Sequence, residues 1–115
     1  MTTDTNFGVT RTKYDNVTVI AVSGEIDVST APELRDKLAS LDAEAGATAV
    51  VDLSEVSFVD STALGVLVSA VKRLRSSGGD LKLVVTKPHI TKVLEITGLT
   101  EVFEIYASPE EAVAA

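Results

Sequence analysis

The chain alternates between two spacings of apolar residues, and each spacing predicts a different element. Apolar side chains at every second position, or in short unbroken runs, predict β-strands. Such segments lie at residues 7–13, 17–23, 47–53, 81–86 and 102–106. Apolar side chains three and four residues apart predict amphipathic helices between the later strands. The run at 47–53 is almost wholly apolar, so we expect a central strand that is covered on both faces.

Local signals mark where the helices begin and end. Thr30 and Glu33 have the capping-box spacing, with Pro32 in the first turn, and so predict a helix start. A second helix is expected after Asp60, with the glycines at 78–79 as its stop. A third helix is expected to begin at Pro88 and to end at Gly98. The stripes predicted to face the core are Leu34, Leu38 and Leu41 in the first helix, Leu64, Leu67, Val68, Val71 and Leu74 in the second, and Ile90, Val93, Leu94 and, as a further candidate, Ile96 in the third. A fourth helix is expected to begin at Pro109.

This order of elements predicts an α/β fold, because strands that alternate with helices form parallel pairs through right-handed crossovers. We expect one domain over residues 1–115, with a mixed, mostly parallel sheet of four or five strands, an N-terminal antiparallel hairpin and about four helices. Residues 1–6 are mostly small and polar and are expected to be frayed.

The same topology predicts which loops meet. The carboxyl ends of parallel strands lie at one edge of a sheet. The loops at 24–29 and 54–60 should therefore be neighbours. Asp27 and Ser61 would then share a surface.

Charge and composition narrow the classes of partner. The formal net charge of −7 argues against nucleic acid, whose phosphates require clustered Lys and Arg, and favours a basic surface on a protein partner. The chain has no cysteine and no apolar stretch long enough for a signal peptide or a membrane span. We therefore expect a cytoplasmic protein that makes no membrane contact.

The motifs of common enzymes are missing from the chain. Ser61 has neither a Gly-x-Ser-x-Gly elbow nor a neighbouring histidine, since His89 belongs to another predicted helix and is expected to be solvated. The chain contains neither Gly-x-x-x-x-Gly-Lys-Ser/Thr nor Gly-x-Gly-x-x-Gly, the glycine-rich patterns that bind nucleotide phosphates, so we expect no cofactor. The carboxylates of Asp27, Asp52, Glu55 and Asp60 could crowd around a divalent cation, but such residues at strand and helix ends are more often structural, and we predict neither a metal site nor an enzyme.

Asp60, Ser61 and Thr62 lie where an apolar strand gives way to an apolar helix. One interpretation is a simple helix cap, since Asp and Ser are preferred at that position. A helix needs only one cap, however, so at least one hydroxyl group of Asp60-Ser61-Thr62 is not required for capping. A phosphate on Ser61 would be tolerated by the first-turn amides and the helix dipole, and it would add about −1.5 to −2 charges. The site is therefore also suited to a phosphorylation switch.

Three segments of the chain resemble segments of one known family, and the resemblance extends over nearly the whole chain. Residues 58–65, Phe-Val-Asp-Ser-Thr-Ala-Leu-Gly, resemble the Asp-Ser-Ser/Thr-Gly-Leu-Gly signature of bacterial anti-anti-sigma factors, the STAS-domain antagonists of anti-sigma kinases. Residues 24–34 are similar to the entry of that family's first helix, and residues 93–99 to its late helix and glycine stop.

The resemblance implies a partner-switching protein. In that family the unphosphorylated antagonist binds an anti-sigma factor, which releases a sigma factor for transcription. The anti-sigma factor, a serine kinase with an ATPase-like fold, phosphorylates the serine that follows the motif aspartate, and a metal-dependent phosphatase reverses the reaction. That serine is Ser61 in this chain.

The resemblance also implies a set of partner-binding residues. They are Asp27, Ser29, Thr30, Asp60, Thr62, Ala63 and Leu64. The chain departs from the signature at Ala63, where the family has glycine. The added methyl group either lies at the contact with the kinase and narrows the choice of partner or simply makes a better helix position, and we expect altered partner choice with phosphorylation intact.

Two alternatives remain open at this point. The chain could be a STAS docking or scaffold subunit of a transport or stress-signalling complex, although the intact run from Asp60 to Thr62 favours the sigma regulator. It could also be a small enzyme or ligand carrier with a pocket near Asp27, which the missing base and cofactor loop make a weaker interpretation.

Overall fold

The computed structural model describes residues 7–41 and 44–115. The described residues form five strands, four α-helices and one 3-10 turn. They are β1 (Gly8–Tyr14), β2 (Val17–Ile26), α1 (Ala31–Ala39), β3 (Thr48–Val59), α2 (Ser61–Ser76), β4 (Asp80–Val84), α3 (Pro88–Ile96), the 3-10 turn Leu99–Glu101, β5 (Glu104–Tyr106) and α4 (Pro109–Ala114). The frayed segment expected at 1–6 lies outside the described residues.

The five strands form one sheet in chain order, from β1 at one edge to β5 at the other. β1 and β2 pair antiparallel, and each later pair is parallel. The predicted α/β fold, with its hairpin, its mostly parallel sheet and its central strand β3, is confirmed.

The two faces of the sheet are covered unequally, because successive side chains of a strand point to opposite faces. The larger core joins Ile20, Val51 and Leu83 of the strands to buried residues of α1, α2 and α3. The smaller core joins Val19, Val50 and Val84 to α4. Three helices therefore lie on one face and the short α4 on the other. No helix in the described part of the chain is long and apolar enough to cross a membrane.

Two strands are longer than predicted, and this positions the candidate site. β2 continues to Ile26 and β3 to Val59. Half of the expected loop at 24–29 and nearly all of that at 54–60 are therefore strand, with register shifts in the β2–β3 ladder on both sides of Gly24. The polar residues in these segments hid the strand pattern, since pairing between the two strands overrides local preference.

The helix ends match the sequence in part. The stop after α2 is confirmed, since the Gly79 N–H donates to the Leu74 carbonyl (2.8 Å). The capping box at α1 is wrong, because the Thr30 side chain makes no cap hydrogen bond. Ile96 does not face the core, and its side chain is 73% exposed at the end of α3.

Candidate functional site

The carboxyl ends of β2 and β3 meet beside the start of α2. Ile26 pairs with Val59, and the Asp60 N–H donates to the Ile26 carbonyl (3.1 Å). The residues that follow these two strand ends, Asp27 and Asp60, are thus held at one edge of the sheet. This is the juxtaposition expected from the parallel topology.

Asp60 caps α2 and leaves the next two hydroxyl groups free. Its carboxylate Oδ1 accepts from the Ala63 N–H (3.0 Å), and its carbonyl accepts from the Leu64 N–H (3.1 Å). Ser61 and Thr62 are exposed in the first turn. Neither hydroxyl has a hydrogen-bond partner among the residues that the structure describes. The Ser61 hydroxyl is therefore accessible and is not needed to start the helix.

Asp27 organises the turn between β2 and α1. Its Oδ1 accepts from the Ser29 hydroxyl (2.7 Å) and from the Ser29 and Thr30 N–H groups (3.0 and 3.2 Å). The Ser29 hydroxyl is the main cause that lowers the pKa of Asp27, followed by the Ser29 N–H. The Asp27 carbonyl accepts from the Ala31 N–H (2.8 Å), so this turn starts α1 in place of the expected capping box.

Thr30 is an internal support of this turn. Its hydroxyl donates to the Glu25 carbonyl (2.8 Å) and accepts from the Asp27 N–H (2.9 Å). The residue is 6% exposed. Its side chain therefore stabilises the loop and offers no contact area to a partner, contrary to the contact role that the resemblance implies.

The comparison with known families decides what kind of domain carries this site. The STAS domain family model matches residues 9–112. The chain belongs to the STAS domain family. The match spans every element from β1 to the middle of α4.

Similar STAS proteins are regulators by name. The anti-sigma-B factor antagonist of Bacillus subtilis (strain 168) is 40% identical over 108 residues, which are 94% of this chain and 98% of that protein. The anti-sigma-B factor antagonist of Listeria monocytogenes is 42% identical over 86 residues, 75% of each chain. The crystal structure of an anti-sigma factor antagonist from Mycobacterium paratuberculosis matches with a TM-score of 0.86 and 29% identity, over 99% of this chain and 97% of that one.

The residue that departs from the STAS signature is buried. Ala63 has no exposed surface, and its side chain belongs to the larger core. Its methyl group therefore meets the core and cannot lie at a contact with a kinase. The structure therefore favours the helix position over the altered partner choice that we expected from this methyl group. Leu64 next to it is half-buried against the same core.

Two exposed apolar residues of this STAS domain were missed from the sequence. Phe58 is 48% exposed near the end of β3, and Val28 is 71% exposed in the β2–α1 turn. Both neighbour the aspartates of the site in the chain. A local signal does not separate them from Ile26 and Val59, which lie beside the same aspartates and are buried.

The acidic residues of this edge do not converge on a metal. Within residues 7–41 and 44–115, no group of three potential ligands is close enough to hold an ion. Asp52 instead accepts from the Ser54 hydroxyl (2.7 Å). His89 is exposed as expected, but its Nε2 lies 2.7 Å from the Ser57 carbonyl oxygen.

Proposed function

We propose that this STAS domain is an anti-sigma factor antagonist whose unphosphorylated form binds an anti-sigma factor, thereby releases a sigma factor, and is switched off by phosphorylation of Ser61. The observation that carries the proposal is the exposed Ser61 hydroxyl, free of hydrogen bonds to the described residues, next to an aspartate that already caps the helix. The names of the similar antagonists support the choice of partner.

Phosphorylation would leave the fold intact. Ser61 is the first residue of the 16-residue helix α2. A phosphate there lies at the positive end of the helix dipole, where negative charge is stabilising. Because Asp60 caps the helix independently, the modified side chain replaces no internal hydrogen bond. We therefore expect the switch to act on docking rather than on folding.

The proposed docking surface, called the Ser61 face, has an apolar centre and an acidic rim. The face comprises Val28, Phe58, Ser61, Thr62 and Gly65, all exposed. Its rim is formed by Glu25, Asp27, Glu55 and Asp60, and none of these carboxylates forms an ion pair with a described residue. The chain has no Lys or Arg at residues 14–34 or 45–71. The face therefore suits a partner that presents apolar side chains surrounded by basic ones.

A phosphate on this face would oppose docking in two ways. It would bring about −1.5 to −2 charges into an apolar contact, where desolvation is costly, and it would lie beside the carboxylates of the rim. Its bulk would also separate the two surfaces. Phosphorylation at the centre of the face thus explains an on–off switch without an order–disorder change.

The remaining parts of the proposal concern the partners. The kinase would be the anti-sigma factor itself, a serine kinase with an ATPase-like fold, and a metal-dependent phosphatase would restore the hydroxyl. The STAS domain would act as substrate and ligand and not as an enzyme. Since sigma factors act on RNA polymerase, the cytoplasm is the proposed location. We further propose that residues 1–115 act as one domain.

Mass spectrometry of the intact protein tests the switch. The chain is incubated with ATP and each anti-sigma factor encoded in the same genome, with Ser61→Ala and Thr62→Ala as controls. We expect one added phosphate in the native chain and in Thr62→Ala, none in Ser61→Ala, and loss of the complex on phosphorylation. If no anti-sigma factor binds or phosphorylates the chain, the proposal is wrong and a STAS scaffold of a transport or stress-signalling complex becomes the better interpretation.

A matched pair of variants tests the Ser61 face. Phe58→Ser removes an apolar group that is 48% exposed at the face, and Tyr14→Ser removes one that is 52% exposed in β1, at the opposite end of β2. We expect Phe58→Ser to weaken the complex by about tenfold or more, as for an apolar anchor of an interface. Tyr14→Ser should leave the affinity unchanged. Equal effects of the two variants would refute the assignment of the face.

A further inference from the structure

The central strand extends beyond its neighbour on one side. β3 pairs with β4 from Thr48 to Asp52, and the last pair of that ladder is Asp52 with Val84. On the other side, the pairing with β2 continues to Val59. We call residues 53–59 the β3 extension. This segment leads directly into Asp60 and Ser61, yet among the described strands it has a neighbour on one edge alone.

Two side chains from the start of α3 bind the open edge of the β3 extension. The Lys87 ammonium donates to the Ser54 carbonyl (2.6 Å). The His89 Nε2 lies 2.7 Å from the Ser57 carbonyl oxygen. Because a carbonyl oxygen can only accept, Nε2 carries the hydrogen of this bond. The two donors thus take the place of the strand that β4 does not supply.

The fold alone does not require these bonds. Ser57 and His89 are exposed and Ser54 is half-buried, so water could satisfy the two carbonyl groups. Ordering a lysine side chain also costs conformational entropy. The two bonds fix the direction of the β3 extension, which is otherwise held only by its pairing with β2. That direction places the start of α2.

We propose that Lys87 and His89 are positioning residues of the Ser61 face. Their hydrogen bonds go to the backbone of the β3 extension and not to Ser61 or Asp60, so we infer that they act through that backbone. The inference rests on the proposed function only for its final step, from the position of Ser61 to docking and phosphorylation. The mechanical step is testable on the isolated chain.

Hydrogen–deuterium exchange of the full chain tests the mechanical step. We expect the amides of 53–63 to exchange about thirty times faster in the double variant Lys87→Ala, His89→Ala, since it loses two hydrogen bonds that each contribute on the order of 1 kcal/mol. The amides of β1 and of residues 17–22 should be unchanged. Lys87→Arg with His89→Gln keeps both donors and should restore protection, while Lys92→Ala, on the same helix, should have no effect.

Phosphorylation kinetics test the functional step. With an anti-sigma factor that phosphorylates the native chain, we expect kcat/KM for Ser61 to fall about tenfold in the double variant and to recover in the conservative variant. The rates are measured at a temperature at which urea denaturation shows every variant to be fully folded, so that overall stability does not affect them. Unchanged exchange at 53–63 would overturn the mechanical step, and faster exchange with unchanged kcat/KM would overturn the functional one. A native chain that no anti-sigma factor phosphorylates would refute the proposed function, and the exchange data would still decide the mechanical step.

Discussion

The two ends of the β2–β3 ladder are built in opposite ways. At the amino end of the parallel strands, called the closed end, the Lys13 ammonium pairs with the Glu44 carboxylate (2.7 Å), and the Gly79 backbone packs against the Ala47 carbonyl. At the carboxyl end, the Asp27 carboxylate bonds to its own turn and the Ser61 hydroxyl has no partner in the described chain. One end is completed by contacts within the chain, and the other keeps groups available for a second protein.

This difference separates residues that stabilise the STAS fold from residues that serve the switch. Substitutions at the closed end should change stability and leave partner binding alone. Substitutions on the Ser61 face should change partner binding, with effects on stability of at most about 1 kcal/mol at the helix cap and inside α2. Four predictions test this separation, in order of decreasing effect.

Gly79→Ala should destabilise the closed end strongly. A Cβ at residue 79 would lie 1.8 Å from the Ala47 carbonyl oxygen, so the backbones of β3 and β4 would have to move apart. We expect a loss of about 3 kcal/mol or more in the free energy of unfolding. Urea denaturation measures it, and a loss below about 1 kcal/mol would contradict the close approach.

Asp60→Ala should destabilise α2 by about 1 kcal/mol, the usual cost of losing an N-cap. The carboxylate of Asp60 accepts the Ala63 N–H, and no other side chain in the described residues does so. Asp60→Asn is the control, since asparagine caps equally well. Both are measured by thermal unfolding. A loss as large in Asp60→Asn would mean that charge, and not the cap, stabilises the helix.

Gly65→Ala should stabilise the fold while it weakens docking. Gly65 lies inside α2, and a Cβ there would meet no atom within 4 Å. Replacing a glycine inside a helix by alanine gains about 0.5–1 kcal/mol. Since the fold has no need of glycine at this exposed position, we expect close approach of the partner to be its use. Tighter or equal binding of Gly65→Ala to the anti-sigma factor would remove this explanation.

The carboxyl groups of the two ends should respond differently to salt. The bond to Lys13 lowers the pKa of Glu44, whereas the Ser29 hydroxyl lowers that of Asp27. Both carboxylates therefore stabilise the fold above their ordinary pKa values, and this contribution is lost as the pH falls through their lowered pKa values. Salt at 1 M, where the Debye length is about 3 Å, weakens the attraction of the partly exposed Glu44 carboxylate to Lys13 and Arg11, whereas the hydrogen bonds to Asp27 come from neutral groups. NMR titration should find that 1 M salt raises the pKa of Glu44 more than it raises the pKa of Asp27. The variant Ser29→Ala should raise the pKa of Asp27.

Much of the site was readable from the sequence, because its signals are local. The cap by Asp60 and the free hydroxyl of Ser61 follow from residue types at a strand–helix boundary, and both hold in the structure. The cap of α1 was misread, since Thr30 turns its hydroxyl back to the Glu25 carbonyl. Local spacing cannot distinguish the two arrangements, because a threonine hydroxyl can bond backbone groups that precede it in the chain as readily as those that follow it.

The sequence by itself determined the order of elements, the parallel sheet that this order implies and the helix ends marked by proline or glycine, since apolar period, proline and glycine act within a few residues of themselves. The tertiary structure decided the length of β3, the burial of Ala63, the exposure of Phe58 and the bonds from α3 to the β3 extension. Each of these features depends on which segment, distant in the sequence, packs against the residue or strand concerned. Lys87 and Ser54 are 33 residues apart in the chain, and only packing brings them to 2.6 Å.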